Sequence, residues 1–308
     1  MPITLQEAKV GMADKVDQQI IDTFRRSSLL LDALTFDNAI SPGTGGSTLT
    51  YGYIQLKSPS TASVRTINTE YTPNEAKREE KTAKAEIMGC AFQVDRVLQN
   101  TSGAVDELAF QAEQKIKATA NEFHNRAINS DSGLNASLTG TENEFTSEVD
   151  LSTSALVDEN TQAFLDELDK VIASVDGANM ILMNGNMLTK VKGIARRAGY
   201  YTRTENAFGK GVDNYNDIPL VDVGGYYNGS KTVDVIPTDE SGKSDIYVVS
   251  IGLDGFHGIS PVGNNVIQGY MPDMNAPGAV KKGEVELVAG VVLKNTLKAA
   301  VLRGIKIK

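Results

Sequence analysis

The chain has 308 residues, enough for a sizeable core and about two domains, and 41% of the residues are hydrophobic. Its 39 acidic residues outnumber 30 basic ones, and a net charge of −9 disfavours binding to nucleic-acid phosphates. The single cysteine, Cys90, excludes an internal disulfide, and no apolar run is long enough to span a membrane. The composition therefore indicates a globular protein of the reducing cytosol.

The N-terminal region is predicted to contain a short helix and a flexible joint. Val16, Ile20 and Phe24 recur every four residues, which indicates an amphipathic helix from Ala13 to Phe24. The later stretch SPGTGGST cannot continue regular structure because of its proline and glycines. Since it lacks the spacing of a phosphate-binding loop, we interpret it as a surface loop.

The next region is predicted to form a long hairpin arm. LTYGYIQL, ASVRTI and KAEIMGCAFQVDRVL have the composition of strands, and the polar stretch NTEYTPNEAKREE, with Pro73 at its tip, separates the last two. A ribbon that is polar on both faces buries little apolar area and is marginal alone. We expect the arm to lie against another subunit, although packing on its own domain is an equally open alternative.

The strongest helix signal in the sequence runs from Ser102 to Asn129. Thr101 and Ser102 offer hydroxyl caps. Apolar residues recur there at steps of three and four, at Val105, Leu108, Ala109, Ala112, Ile116, Ala120, Phe123 and Ala127. At about 1.5 Å per residue the helix reaches roughly 38 Å, a length suited to a strut.

A stretch rich in Ser, Thr, Asn and Gly follows, and we interpret it as a boundary before an α+β region. That region is predicted to begin with a helix over Gln162–Val175, a buried strand at Met180–Met183 and a second helix capped by Asn186. Three further strands are predicted in DIPLVDVG, TVDVIPT and SDIYVVSIG, because glycines and prolines separate these short apolar runs.

The end of the chain is predicted to form two paired strands. Apolar and polar residues alternate from Val285 to Leu293, and Val292 interrupts the polar face, which indicates that this face is partly covered. After a turn, Ala299 to Ile307 are predicted to form the partner strand. We expect the apolar stripe of the long helix to cover this sheet.

Candidate catalytic residues are few. His257 is the one tempting base, because Asp254 precedes it by three residues and Ser250 and Ser260 are near in sequence. A glycine-flanked turn after a strand explains the same residues, and the sequence has no GxSxG motif. His124 and His257 cannot form a three-histidine metal site, so we predict no cofactor, no metal and no active site.

The order of these parts resembles the major capsid proteins of tailed bacteriophages with the Hong Kong 97-type fold. SSLLLDALTF resembles the end of that family's N-terminal arm, and SVRTINTEYTP with KAEIMGCAFQVDRVL is similar to its extended loop, which typically ends in an apolar-x-VDR-apolar run. The long helix resembles the spine helix. ANMILMNGNMLTKVKGIARRAGYYTRTENAFGKGVDNYNDIPLVDVG and DIYVVSIGLDGFHGIS resemble segments of the axial domain, so the resemblance covers nearly the whole chain.

The resemblance implies an α+β phage capsid fold and a division of the chain. The implied units are an N-terminal arm at 1–46, an extended β-hairpin loop at 47–98, a peripheral domain with the spine helix and a β-sheet at 99–150 and 262–308, and an axial domain at 151–261.

The resemblance also implies a structural protein, not an enzyme. Copies would assemble into pentamers and hexamers of an icosahedral shell around double-stranded DNA, without sequence-specific DNA contacts and without a membrane. The location would be the virion capsid, assembled in the bacterial host cytoplasm. A portal would be a partner, and because the chain starts at Met1 shortly before the arm, a separate scaffolding protein is expected. Residues predicted to contact other subunits are Arg65, Glu70, Tyr71, Lys77, Arg78, Arg203 and Phe208. No covalent cross-link is predicted.

Two alternatives stay open. One is an encapsulin-like nanocompartment shell with the same fold, which an apolar cargo-binding groove beside the N-terminal helix would support; the axial-loop resemblance favours the phage proteins. The other is a hydrolase using Asp254 and His257.

Overall fold

A computed structural model describes residues 29–40, 49–97, 104–152, 158–205, 211–262, 266–273 and 275–308. The predicted helix over Ala13–Phe24, the joint SPGTGGST and Phe208 lie outside the described residues. The helices are α1 (Leu29–Ala33), α2 (Ala104–Asn129), α3 (Leu134–Leu138), α4 (Asp158–Ser174) and α5 (Gly185–Ala198). The strands are β1 (Phe36–Asp37), β2 (Thr50–Ser58), β3 (Lys77–Lys84), β4 (Glu86–Asp95), β5 (Glu144–Thr146), β6 (Met180–Met183), β7 (Tyr201–Glu205), β8 (Gly211–Tyr215), β9 (Ile218–Asp222), β10 (Gly225–Tyr227), β11 (Thr232–Asp234), β12 (Lys243–Val249), β13 (Phe256–Ile259), β14 (Ile267–Tyr270), β15 (Val280–Leu293) and β16 (Ala299–Lys306).

Helix α2 confirms the predicted long amphipathic helix. Its fully buried residues lie three or four positions apart, at Ala112, Ile116, Ala120, Phe123 and Ala127. This face packs on β4 and β15, where Met88, Val285 and Leu287 are also buried. Burying a large apolar side chain such as that of Phe123 stabilises the fold by about 1.5–3 kcal/mol, so the helix–sheet contact anchors this half of the molecule.

The sheet beneath α2, here called the peripheral sheet, is built around β15. Strand β15 pairs antiparallel with β4, β13 and β14, and β1 extends the sheet by pairing parallel with β13. The prediction that Ala299–Ile307 would pair with β15 was wrong. A 3₁₀ turn at Thr296–Lys298, capped where Leu297 N donates to Asn295 Oδ1 at 3.0 Å, sends the chain into a second sheet.

That second sheet, the axial sheet, has the order β5-β16-β12-β6-β9-β8-β7 among the described strands. Alternate residues of its strands face two different cores. Ile181, Val248 and Leu302 pack beneath α4 and α5, whereas Leu182 and Val249 join the core under α2. Strand β16 is buried on both faces, since Ala299 and Val301 join the core under α2 whereas Ala300 and Leu302 join the core under α4 and α5, which explains why its first half is continuously apolar.

The axial region contains two further departures from prediction. Helix α5 is capped by Asn184, not Asn186: Asn184 Oδ1 accepts from Met187 N at 2.8 Å. The expected boundary stretch contains α3 and β5, because Leu134 and Leu138 are fully buried against the main core. The division into domains stays a prediction, and the sheets do not follow its bounds, since β13 pairs in the peripheral sheet whereas β5 and β16 pair in the axial sheet.

Candidate assembly surfaces

The hairpin arm consists of β2 and β3 joined by a loop at 59–76. The strands pair from Thr50 opposite Lys84 to Ser58 opposite Lys77. Two predictions for this region were wrong: ASVRTI is not a strand, and the polar segment KREEKTAK forms β3. The chain then leaves the hairpin at Ala85, and β4 joins β15 in the peripheral sheet.

The base of the hairpin is held firmly on the body of the molecule. Tyr51 Oη donates to Asp37 Oδ2 at 3.0 Å, Tyr53 Oη donates to the Leu293 carbonyl at 3.3 Å, and Gln55 Nε2 donates to the Lys294 carbonyl at 3.1 Å. Tyr51 is also buried in a small apolar cluster with Ile40, Ala83, Ala85, Ile259 and Val292. This cluster covers the face of β15 on which Val292 lies, as its apolar character predicted.

Beyond its base, the hairpin exposes apolar side chains. The exposed fractions are 70% for Ile54, 57% for Leu56, 101% for Val64, 89% for Ile67 and 58% for Tyr71. Several exposed apolar side chains on one segment indicate an interaction surface, because burying each one away from water is favourable.

The loop at the end of the hairpin has a defined shape. Asn74 Nδ2 donates to the Thr61 carbonyl at 2.7 Å, and Thr61 N donates back to Asn74 Oδ1 at 3.0 Å. Thr66 and Thr69 close a turn through Thr69 Oγ1, which donates to the Thr66 carbonyl at 2.8 Å. The apolar side chains are therefore presented on an internally bonded loop.

The predicted contact residues fall in two places. Arg65, Glu70, Tyr71, Lys77 and Arg78 are exposed on the hairpin, and the Arg65 guanidinium lies 5.4 Å from the centre of the Tyr71 ring. This distance is within the range of a cation–π contact.

Arg203 is on β7, in the axial sheet, where its guanidinium covers Gly211 so closely that a Cβ at that glycine would collide with it. The role of all these residues in subunit contact stays a prediction. That set missed four exposed apolar residues of the arm, Ile54, Leu56, Val64 and Ile67. Apolar side chains in an otherwise polar ribbon were the sequence feature that pointed to them.

The structure does not bring Asp254 and His257 into a catalytic arrangement. The Asp254 side chain is 76% exposed and its carboxylate lies 3.4 Å from Lys298 Nζ. His257 is fully buried, with Nδ1 3.4 Å from the Gly255 carbonyl and, among the described residues, no partner for Nε2. Ser250 and Ser260 are buried as well.

The described residues contain neither a candidate metal site nor a candidate membrane span. They hold no group of three or more His, Cys, Asp and Glu side chains placed to bind a metal ion. No described helix combines the length and the apolar character needed to cross a membrane.

The chain resembles known proteins in its fold but not in its sequence. No model of a protein family matches the sequence, and no curated protein matches it either. Solved structures do match. The SrpI encapsulin of Synechococcus elongatus PCC 7942 is 13% identical, with 91% of this chain and 89% of that chain covered and a TM-score of 0.63.

Two capsids match in the same way. The capsid of a native GTA particle is 10% identical, with 98% of this chain and 94% of that chain covered and a TM-score of 0.56. The capsid of Myoviridae phage XM1 is 14% identical, with 90% of this chain and 91% of that chain covered and a TM-score of 0.53. The spine helix, hairpin arm and two sheets thus belong to one known architecture, and the chain has the Hong Kong 97-type fold.

Proposed function

We propose that this protein is a major capsid protein, whose copies form the pentamers and hexamers of an icosahedral shell around double-stranded DNA. The observation that carries the proposal is the hairpin arm. Three side-chain hydrogen bonds fix its base to the body, while Ile54, Val64 and Ile67 remain in solvent. A neighbouring subunit would supply the surface that buries them, as a self-assembling shell requires.

The charge of the chain is consistent with packaged DNA. A net charge of −9 would let the inner wall enclose DNA without adhering to it. As finer parts of the same proposal, a scaffolding protein and a portal are partners, and assembly takes place in the cytoplasm of a bacterial host before the protein resides in the virion. We propose no enzymatic activity, because His257 is buried and Asp254 is paired with Lys298.

Particle formation tests the proposal. We expect the purified protein, alone or with a coexpressed scaffolding protein, to elute as capsomers or as particles in the megadalton range, and negative-stain images to show closed shells. A species of 33.0 kDa under every condition, with no shells, would contradict it.

A deletion variant tests the part played by the hairpin. Replacing residues 56–78 by a short Gly-Ser turn keeps the base residues Tyr51, Tyr53 and Gln55. We expect a soluble variant with the circular dichroism of a folded protein and no shells. Retained assembly would show that the distal hairpin is not the contact between subunits.

A second candidate function is a nanocompartment shell, favoured by the TM-score of 0.63 to the Synechococcus elongatus encapsulin. The contents of particles purified from cells that naturally make the protein separate the two functions. Nuclease-protected DNA supports the capsid, whereas enclosed protein without DNA supports the nanocompartment.

A further inference from the structure

The base of the hairpin arm lies on a buried histidine. His257 is in the middle of the peripheral sheet, on β13, opposite Val292 of β15. Its side chain shares a strand face with that of Ile259, two residues on, which packs in the cluster around Tyr51. The His257 and Tyr51 rings meet edge to face, with their centres 6.0 Å apart and an angle of 78° between their planes.

The surroundings of His257 Nε2 disfavour the protonated ring, although the contact of Nδ1 with the Gly255 carbonyl favours it. Nδ1 lies 3.4 Å from the Gly255 carbonyl, an acceptor, so the proton belongs on Nδ1 and the lone pair on Nε2. Among the described residues Nε2 has no hydrogen-bond partner and is shielded from solvent. Protonation would therefore bury a charged N–H group without an acceptor, which is costly in a folded protein.

Charged side chains on the segments around His257 influence its protonation. Lys294, which follows β15, lies with Nζ 5.3 Å from the centre of the Tyr51 ring, and its charge opposes protonation. Asp37 on β1 and Asp254 in the preceding turn favour protonation, although each carboxylate already has a partner: Tyr51 Oη and Lys298 Nζ, respectively. Burial is the largest influence, and the pKa of His257 is lowered from its ordinary value.

We propose that His257 is a pH-sensitive latch for the hairpin arm. The neutral ring supports Tyr51 and the hairpin base at neutral pH, and mild acid releases the base of β2 and β3 from the peripheral sheet. Opening exposes His257 to water, where its pKa returns to about 6.5, so the open form gains a proton that the closed form excludes. Below that pH, the equilibrium shifts toward the open form by up to about tenfold per pH unit.

Hydrogen exchange measures this opening directly. Amide exchange would be followed by mass spectrometry from pH 7.5 to 5.0, with rates corrected for the intrinsic pH dependence of exchange. We expect the corrected rates of β2 and β3 in the wild type to rise about tenfold between pH 7.5 and 5.5, and to exceed those of β12 throughout, because β2 and β3 exchange through a local opening. Corrected rates of β2 and β3 that do not change with pH, or that equal those of β12 throughout, would overturn the proposal.

Two sets of variants identify the responsible group. In His257→Gln and His257→Leu, which cannot bind the proton, we expect the rise to disappear. The chain has two histidines, and His124 is also buried, so His124→Gln is the matched control and should keep the wild-type rise. A rise that persists in either folded His257 variant would overturn the proposal.

A measurement on the unmodified chain covers the case in which both His257 variants fail to fold. Slow exchange of the imidazole C2 proton reports the pKa of each histidine in the wild type. A value for His257 below 6.5 supports the latch, and a value at or above 6.5 overturns it. Because single subunits or capsomers are sufficient, the result does not depend on whether shells form.

Discussion

In the body of the molecule, α4 and α5 hold Phe164 and Leu168 against the axial sheet with no exposed surface, whereas the hairpin arm leaves Val64 and Ile67 almost fully in solvent. Both regions contain large apolar side chains, on helices and strands in the body and on a hydrogen-bonded loop in the arm. The difference is that the body supplies its own covering layer and the arm does not. Free energy from burial therefore stabilises the fold in the first region, whereas in the second it would be gained only in the association between subunits that we propose.

The largest effect on stability should come from the body. Phe164→Ala removes a fully buried ring from the contact between α4 and the axial sheet, and we expect it to lower the free energy of unfolding by about 3–5 kcal/mol. Urea denaturation of unassembled subunits measures this loss. Val64→Ala is the control from the arm and should stay within about 0.5 kcal/mol of wild type. Equal losses would remove the contrast between the two regions.

The next effect depends on pH and concerns His124 of α2. Burial lowers the pKa of this histidine to about 4, whereas the unfolded chain has a value of about 6.5. The unfolded state therefore binds a proton first as the pH falls, and stability should drop by on the order of 3 kcal/mol between these values. Urea midpoints at pH 7 and pH 4.5 measure the drop. His124→Gln should reduce it, and an unchanged drop would contradict the assignment.

A smaller effect is expected from the ionic network at the edge of the axial sheet. Arg303 Nη1 donates to Asp245 Oδ2 at 3.1 Å and Nη2 donates to Asn135 Oδ1 at 2.8 Å, and Nε is paired with Glu144. Arg303→Met leaves these partly buried side chains without their hydrogen-bond donor. We therefore expect the free energy of unfolding to fall by about 2 kcal/mol at pH 7. Lys306→Met breaks a more exposed pair with Asp150, which water and salt screen, and should cost clearly less than Arg303→Met.

The Arg303 variant should also change the acid dependence of stability. The Gly140 amide and the Arg303 guanidinium lower the pKa of Glu144. A carboxyl with a lowered pKa stabilises the folded state above its unfolded pKa of about 4.3, and this contribution is lost as the pH falls further. Removing Arg303 should make the loss between pH 5 and 3 shallower in urea titrations. The Gly140 contribution should remain.

The smallest effect on stability should accompany a large effect on assembly. Val64→Ser combined with Ile67→Ser changes only exposed side chains, so unfolding should stay within about 0.5 kcal/mol of wild type. If a neighbouring subunit buries these groups, the concentration needed for shells should rise at least about tenfold. Light scattering against protein concentration measures it, with Ser63→Ala as the control. Unchanged assembly would place the contact elsewhere on the arm.

Much of the body could be predicted because its periodicity is strong. Helix α2 repeats its apolar positions over many turns, and β15 alternates along most of its length. The pairing of β16 could not be predicted, since strands that are neighbours in sequence usually pair and β16 follows β15 directly. Helix α3 has only Leu134 and Leu138 to mark it, too little for a period.

The arm was harder to predict, for the opposite reason. Strand β3 reads KREEKTAK and lies mostly in solvent, so its sequence has no apolar alternation that would distinguish it from a loop. The candidate surface presented a different difficulty, because its apolar residues are visible in the sequence but their exposure is not. Ile54 and Leu56 alternate like residues of a core face, and only the structure shows that nothing in the described chain covers them.

Strand β15 also determines when the arm can be completed during synthesis. The carbonyls that hold Tyr53 and Gln55 belong to Leu293 and Lys294, and β4, which follows the arm directly, needs β15 as its partner. A growing chain exposes the arm long before the ribosome has made these residues. The nascent subunit therefore cannot set the position of its arm, and each copy becomes competent to join others only after almost all of the chain has been translated.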